Sequence, residues 1–182
     1  MQGTRPTRRR IVFEIVSVII LLLLIFADQI IKIYVKDLFD NTSWRSTTVI
    51  EGFFSIKYSF NTGAAFSFLA DKWWSQIFFK VLTVIALVGF IVFYVFACKK
   101  NYKFLRFSLI LIISGTIGNF IDRLIYNGVV DFISFTLFGG YVFPTFNLAD
   151  TFLTIGLIML IIHYLFLDEN SIIPKKNAKK DI

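Results

Sequence analysis

Cysteine and proline are nearly absent from this 182-residue chain, and it has no Ser- or Gly-rich linker. A single cysteine, Cys98, excludes an intramolecular disulfide framework. No cluster of cysteine and histidine shows the spacing of metal ligands, so we expect neither a metal nor a cofactor. With three prolines and no composition break, we expect a single domain over residues 1–182.

Charged residues are also scarce, and apolar residues replace them. The chain is 57% hydrophobic and contains 23 phenylalanines, whereas soluble domains are about 45–50% apolar. A transmembrane helix requires about 20 apolar residues in sequence. The sequence therefore predicts a mainly α membrane protein with four transmembrane helices, at about residues 11–35, 73–98, 104–124 and 147–167.

Positive charge is distributed unevenly along the chain. The N-terminal tail, the segment 98–106 and the C-terminal tail each carry four Lys or Arg, and the connection 125–146 carries none. Lys and Arg near span ends favour the cytoplasmic side. We expect both tails in the cytoplasm and the 36–72 and 125–146 connections outside. The net charge of +7 then reflects topology and contact with anionic lipid rather than binding of nucleic acid.

The connection between the first two spans has the composition of a small sheet. The stretches "STTVI" and "FFSIKYSF" are rich in β-branched and aromatic residues and are separated by "EG". We expect an extramembrane β-rich cradle at about residues 40–70. The following stretch "GAAFSFLA" predicts a short surface helix before the second span.

Polar residues inside predicted spans are functional candidates, because they are costly in a bilayer. Asp28 and Lys32 are four residues apart and share one helix face, which predicts an ion pair that can also support a site. His163 is alone on an apolar helix and is interpreted as a packed or interfacial histidine.

The third span carries a polar stripe. Gly115, Asn119 and Arg123 recur every four residues and share one face, with the glycine allowing a close helix contact. A guanidinium near the bilayer needs carboxylates, carbonyls or lipid phosphate as partners. Asp122 is adjacent to Arg123 in sequence but points in another direction, so it is not the expected partner.

Two carboxylates bracket an apolar segment without Lys or Arg: Asp131, just after the third span, and Asp150, at the start of the fourth. Asn147 and Asp150 also suit the cap and first turn of a helix, and each residue alone has such an ordinary explanation. Both carboxylates are expected at the outer ends of their helices, where the short connection can bring them together. Two carboxylates that share a site hold one proton near neutral pH, which is the arrangement of an aspartic peptidase.

Five stretches make the chain resemble a known family. They are "DQIIK" (Asp28–Lys32), "NTGAAF" (Asn61–Phe66), "GTIGNFIDRL" (Gly115–Leu124), "GVVDF" (Gly128–Phe132) and "FNLADTFLTIG" (Phe146–Gly156). In this order and spacing they resemble the bacterial lipoprotein signal peptidases, or signal peptidase II. The resemblance covers most of the chain from the first span to the fourth.

The resemblance implies an aspartic endopeptidase of the bacterial inner membrane, with cytoplasmic termini and an active site near the outer surface. It implies that Asp131 and Asp150 are catalytic. It also implies that the substrate is a diacylglyceryl-modified prolipoprotein cut before its lipidated cysteine, and that globomycin-like cyclic peptides inhibit the enzyme. We expect the enzyme to be a monomer. The supporting residues that it implies are Asp28, Lys32, Asn61, Gly115, Asn119, Arg123, Asn147 and Ala149.

Three other functions compete with this one. An intramembrane aspartic protease of another class is disfavoured because the chain lacks a GxGD pattern. A transporter or channel subunit could use Asp28, Lys32 and Arg123 as a charge relay, but two carboxylates at one depth fit a relay poorly. A purely structural membrane subunit is the third alternative.

Overall fold

The computed structural model describes residues 8–42, 45–63 and 74–168. Within these ranges the chain forms four long helices and one three-stranded sheet, in the order α1 (Arg8–Asp40), β1 (Ser46–Ile50), β2 (Phe54–Asn61), α2 (Ser75–Lys100), α3 (Lys103–Tyr126), β3 (Val129–Phe135) and α4 (Leu148–Ile162). A 3₁₀ turn covers Phe138–Gly140, and one π-helical turn, His163–Leu167, extends α4. The short surface helix predicted from "GAAFSFLA" falls almost wholly on residues 64–70, outside the described residues.

The four described helices are long and apolar enough to cross a membrane, as the sequence predicted. They differ in how far the protein covers them. In α3, 72% of the most apolar stretch is buried, whereas in the other three helices only 6–11% is. The third helix therefore lies at the centre, with α1, α2 and α4 around it, and it is the element that can hold polar side chains away from lipid.

Helices α3 and α4 touch through their backbones at two glycines. A Cβ added to Gly115 would lie 2.2 Å from the carbonyl oxygen of Ala149, and one added to Gly156 would lie 2.8 Å from that of Ser108. Both distances are shorter than any real carbon–oxygen contact of this kind. The close packing that the sequence predicted for Gly115 is confirmed, and it places the first turn of α4 directly against α3.

The sheet is antiparallel in the order β1-β2-β3. The predicted hairpin from the first connection forms β1 and β2, but the third strand comes from the segment that follows α3. Asp131 therefore lies on β3, opposite Ser59 of β2. It follows α3 closely in sequence, as predicted, but it lies on a strand that the sequence analysis did not predict. The segment "VVDFISF" is buried on both faces over most of its length, so it lacks the polar alternation that identifies a strand in sequence.

An ion pair joins α1 to α3 near the N-terminal end of α1. Arg106 of α3 is buried, and its Nη2 lies 2.6 Å from Oε1 of Glu14 on α1. The hydroxyl of Tyr94 on α2 donates to the other oxygen of Glu14 at 3.0 Å. His163 is buried beside Tyr102 and Tyr164, as expected of a packed histidine. These contacts join the helices at the end remote from Asp131.

Substituting Gly156 by alanine should destabilise the protein, because the new methyl group would overlap the carbonyl of Ser108. The expected loss is about 1–3 kcal/mol of unfolding free energy, as for other overpacked sites, measured as thermal unfolding in detergent. The matched control is Gly89→Ala on α2, where an added Cβ meets nothing within 4 Å. Equal unfolding midpoints for the two variants would contradict the close packing of α3 on α4.

Candidate active site

Asp131 is buried between two amide side chains. It is 3% exposed, and its Oδ1 accepts a hydrogen bond from Nδ2 of Asn147 at 2.7 Å. Its Oδ2 accepts one from Nδ2 of Asn61 at 3.3 Å. Asn61 ends β2, so the pairing of β2 with β3 delivers this amide to the carboxylate.

Asp150 lies in the first turn of α4 and forms a reciprocal cap with Asn147. The Asn147 side chain accepts from the backbone N–H of Asp150 at 2.9 Å, and the Asn147 backbone N–H donates to Oδ2 of Asp150 at 3.3 Å. The other carboxylate oxygen accepts from Nδ2 of Asn119 at 2.7 Å. The capping role considered from the sequence is confirmed, and it orients the carboxylate as well as starting the helix.

A pair of asparagines joins the two carboxylates. Nδ2 of Asn147, which contacts Asp131, also donates to Oδ1 of Asn119 at 3.1 Å, and Asn119 in turn donates to Asp150. Asp131 and Asp150 are therefore parts of one hydrogen-bonded network and line the same cavity. The structure brings the two predicted carboxylates to one site.

The environment of Asp131 disfavours its charged form. Burial raises the pKa of Asp131, and the nearby charge of Asp150 raises it further, to about 7. The hydrogen bonds from Asn61 and Asn147 oppose this rise but do not cancel it. Asp131 is therefore a carboxyl group that can hold a proton near neutral pH.

Lys32 fixes the orientation of the Asn119 amide. Its ammonium has donors only, and it contacts Oδ1 of Asn119 at 3.0 Å and Oδ2 of Asp28 at 2.8 Å. Because Oδ1 of Asn119 faces the ammonium, Nδ2 must face Asp150. The predicted ion pair of Asp28 and Lys32 is confirmed, and both residues are buried.

Asp28 also reaches the helix that carries Asp150. Its Oδ1 accepts from the backbone N–H of Ala149 at 2.9 Å. That N–H belongs to the first turn of α4 and has no partner within its own helix. Ala149 contributes through its backbone, and its small side chain fits against Gly118 of α3.

Arg123 lies at the wall of the cavity. Its Nη2 donates to the carbonyl of Gly63 at 3.2 Å, its Nη1 lies 3.4 Å from the carbonyl of Asn119, and its guanidinium lies 5.5 Å from the ring centroid of Phe79. The sequence predicted carbonyl groups among the possible partners of Arg123, and these two contacts agree with that prediction. Within the described residues its Nε has no hydrogen-bond partner.

Sequence reasoning missed Asp122 and Gln29. Asp122 points away from Arg123, as expected, but its Oδ2 lies 3.0 Å from Nζ of Lys32. Nε2 of Gln29 donates to Oδ1 of Asp122 at 3.0 Å. The sequence did contain an indication that Asp122 belongs to the site, because Asp122 is three residues after Asn119 and so shares its helix face.

The cavity has a volume of about 600 Å³, within the usual range for small-molecule sites of about 300–1,000 Å³. Its polar end holds both carboxylates, and its walls extend along one face of α4 and along the segment before that helix. The lining residues are Asn61, Asn119, Arg123, Val129, Asp131, Phe143, Pro144, Thr145, Phe146, Asp150, Thr151, Leu153, Thr154, Ile155 and Leu157. The buried Asp131 and the partly exposed Asp150 in a largely apolar groove suit hydrolysis of a peptide with an apolar portion.

Comparison with known proteins adds an independent line of support. The sequence profile of the family described as signal peptidase (SPase) II matches residues 20–166. A lipoprotein signal peptidase of Clostridium tetani is 44% identical over 147 residues, which cover 80% of this chain and 90% of the relative. One from Bacillus pumilus is 40% identical over 148 residues, covering 81% and 90%.

Solved structures agree with the sequence relatives. A bacterial membrane enzyme determined at 2.3 Å by the in meso method superposes with a TM-score of 0.71 and 34% identity, covering 89% of this chain and 94% of that one. A second, at 1.9 Å, gives a TM-score of 0.66 and 35% identity. The profile match covers well over half of the chain, and the first relatives are matched over most of their length. The chain therefore belongs to the signal peptidase II family.

Proposed function

We propose that this multi-pass membrane protein is an aspartic endopeptidase that removes the signal peptide from diacylglyceryl-modified prolipoproteins, cutting before the lipidated cysteine. The observation that carries the proposal is the joining of Asp131 and Asp150 by the amides of Asn119 and Asn147. Its relatives are named lipoprotein signal peptidases, which supports the same reaction and substrate class.

The two carboxyl groups differ in a way that suits acid–base catalysis. Asp150 receives hydrogen bonds on both oxygens and lies at the positive end of α4, two features that stabilise negative charge. Asp131 is buried on a strand, and its pKa is raised to about 7. The pair thus holds one proton, which we place on Asp131 in the resting enzyme.

The reaction follows from that arrangement. The Asp150 carboxylate takes a proton from a water molecule, whose oxygen attacks the scissile carbonyl carbon. Asp131 gives its proton to the carbonyl oxygen as the C–O double bond opens. Collapse of the tetrahedral diol breaks the C–N bond as the C–O double bond re-forms. One hydroxyl of the diol returns its proton to Asp131, and the proton held by Asp150 passes to the leaving amine.

The cavity suits a substrate that remains attached to the bilayer. From the carboxyl pair it runs along α4 past Thr154, Ile155 and Leu157, towards the apolar part of the helix. A signal peptide with apolar side chains can lie in this part of the cavity while the diacylglyceryl chains on the adjacent cysteine stay in lipid. Arg123, which lines the cavity, would orient the substrate backbone.

The proposal also includes the orientation of the protein in the membrane, its oligomeric state and an inhibitor class. Four Lys or Arg in each tail and in the segment 98–106 favour cytoplasmic termini. This supports an active site near the outer surface of the inner membrane. The proposed enzyme acts as a monomer. A cyclic peptide of the globomycin type that fills the cavity would block access to both carboxyl groups.

Asp131→Asn and Asp150→Asn should each reduce kcat by at least about 10³-fold, because either change removes an essential proton donor or acceptor. The measurement is cleavage of a purified diacylglyceryl-modified prolipoprotein in detergent. Asp40→Asn is the matched control, since Asp40 is a partly exposed carboxylate that pairs with Lys36.

Both variants should still bind the lipidated substrate, because the exchanged atoms have the same shape. Full activity in either Asp variant, with the Asp40 control also active, would rule out the carboxyl pair as the catalytic group. Loss of activity in the control as well would indicate damage to the fold instead.

The pH dependence of kcat/KM should have a descending limb near pH 7, because above the raised pKa of Asp131 the pair loses its shared proton. The hydrogen bond from Asn61 lowers this pKa. Asn61→Leu should therefore move the limb to higher pH, which a pH series of initial rates would measure. A limb that stays in place or moves to lower pH would contradict the assignment of the proton to Asp131.

A further inference from the structure

Asp122 is fully buried, and no step of the proposed reaction uses it. Three groups donate to its carboxylate: Nζ of Lys32 at 3.0 Å, Nε2 of Gln29 at 3.0 Å and the backbone N–H of Val130 at 3.0 Å. The first two belong to α1 and the third to β3. Asp122, itself on α3, therefore binds two separate elements of the site at once.

The contact with Val130 bears directly on Asp131, the next residue. The N–H of Val130 is held by Asp122, and the carbonyl of Val130 accepts from Nδ2 of Asn147 at 3.3 Å. The same Nδ2 donates to Oδ1 of Asp131. Both backbone polar groups of Val130 are thus fixed by side chains of α3 and of the cap of α4, which sets the position from which the Asp131 side chain leaves the strand.

The contact with Lys32 bears on Asp150. One ammonium lies between the carboxylates of Asp28 and Asp122 and also contacts Oδ1 of Asn119. Asn119 then donates to Asp150 at 2.7 Å. If Asp122 did not share this ammonium, Lys32 could move towards Asp28 alone and release the Asn119 amide.

We propose that Asp122 is a positioning residue that holds Asp131 through the Val130 N–H and Asp150 through Lys32 and Asn119. The proposal rests on the proposed function, since it concerns the alignment of that carboxyl pair. Asp122 touches neither of the two carboxyl groups in the described contacts, so its effect is on their geometry. A misplacement of about 1 Å in a catalytic group can cost about 10²-fold in rate.

An ordinary structural ion pair is the competing explanation, because Asp122 also ties α1 to α3. The two roles predict different kinetics. A structural pair affects the fraction of folded protein, whereas a positioning residue lowers kcat of folded protein and leaves KM nearly unchanged.

The experiment compares Asp122→Leu and Asp122→Asn with the wild type, with Asp131→Asn and with Glu14→Gln. Leucine removes every hydrogen bond of Asp122, while asparagine keeps one oxygen that can accept from Val130. Glu14→Gln is the matched control, because it removes the charge of one partner of the Arg106 ion pair about 20 Å or more along α1 from Lys32. Initial rates on the lipidated prolipoprotein are measured for protein that elutes as folded from size exclusion.

We expect Asp122→Leu to lower kcat by about 10²-fold and Asp122→Asn by about tenfold, each with KM within threefold of the wild type. Glu14→Gln should keep kcat within twofold, even where its unfolding midpoint falls by as much as that of Asp122→Asn. A higher kcat in Asp122→Asn than in Asp122→Leu would show that the hydrogen bond to the Val130 N–H contributes to the rate. If Asp122→Leu fails to fold, the comparison of kcat between Asp122→Asn and Glu14→Gln tests the positioning role instead.

A kcat of Asp122→Asn within twofold of the wild type would overturn the positioning role. So would a loss of kcat in Glu14→Gln equal to that in Asp122→Asn. The failure of the proposed function is a separate outcome, since it would appear as a wild type that does not cleave the substrate or an Asp131→Asn that cleaves it fully.

Discussion

The hydrogen bonds of one buried ammonium underlie the arrangement of the site. Lys32 can only donate, so each oxygen that faces it is fixed as an acceptor. Its contact with Asn119 turns that amide towards Asp150, and its contacts with Asp28 and Asp122 hold α1 against α3. A charge buried in this way is costly unless every donor is used, and here three oxygen partners use them.

The membrane explains why these polar groups gather on one helix. Because α1, α2 and α4 expose most of their apolar stretches, α3 is the element whose surface is covered by protein. Gly115 brings the backbone of α4 into contact with α3, and Ala149 and Asp150 follow in the first turn of that helix. The close contact of α3 with α4, the first N–H groups of α4 that need partners outside their own helix, and the covered polar face of α3 thus occur at one place.

Hydropathy alone was enough to predict the helices, because a bilayer imposes length and apolarity on any span. The pair Asp28 and Lys32 followed from i,i+4 spacing. The strand β3 was missed because a strand buried on both faces has no alternating pattern, and Asp131 was therefore placed at a helix end. The partners of Asp122 were missed because Lys32 and Val130 come from other elements, and contacts between elements depend on packing that local spacing does not encode. Nine of the ten site residues implied by the family resemblance are linked by hydrogen bonds or ion pairs. The tenth, Gly115, packs against Ala149, and the roles of all ten stay proposals.

The most direct test of the account is cleavage of one purified lipobox prolipoprotein with and without its diacylglyceryl group, in detergent, by the wild type and by Asp150→Asn. The account predicts cleavage of the lipidated form before its modified cysteine, little or no cleavage of the unmodified form, and none by the variant. Equal cleavage of both forms would retain the carboxyl pair but contradict the substrate. Cleavage of neither form by well-folded wild type would contradict the peptidase function itself.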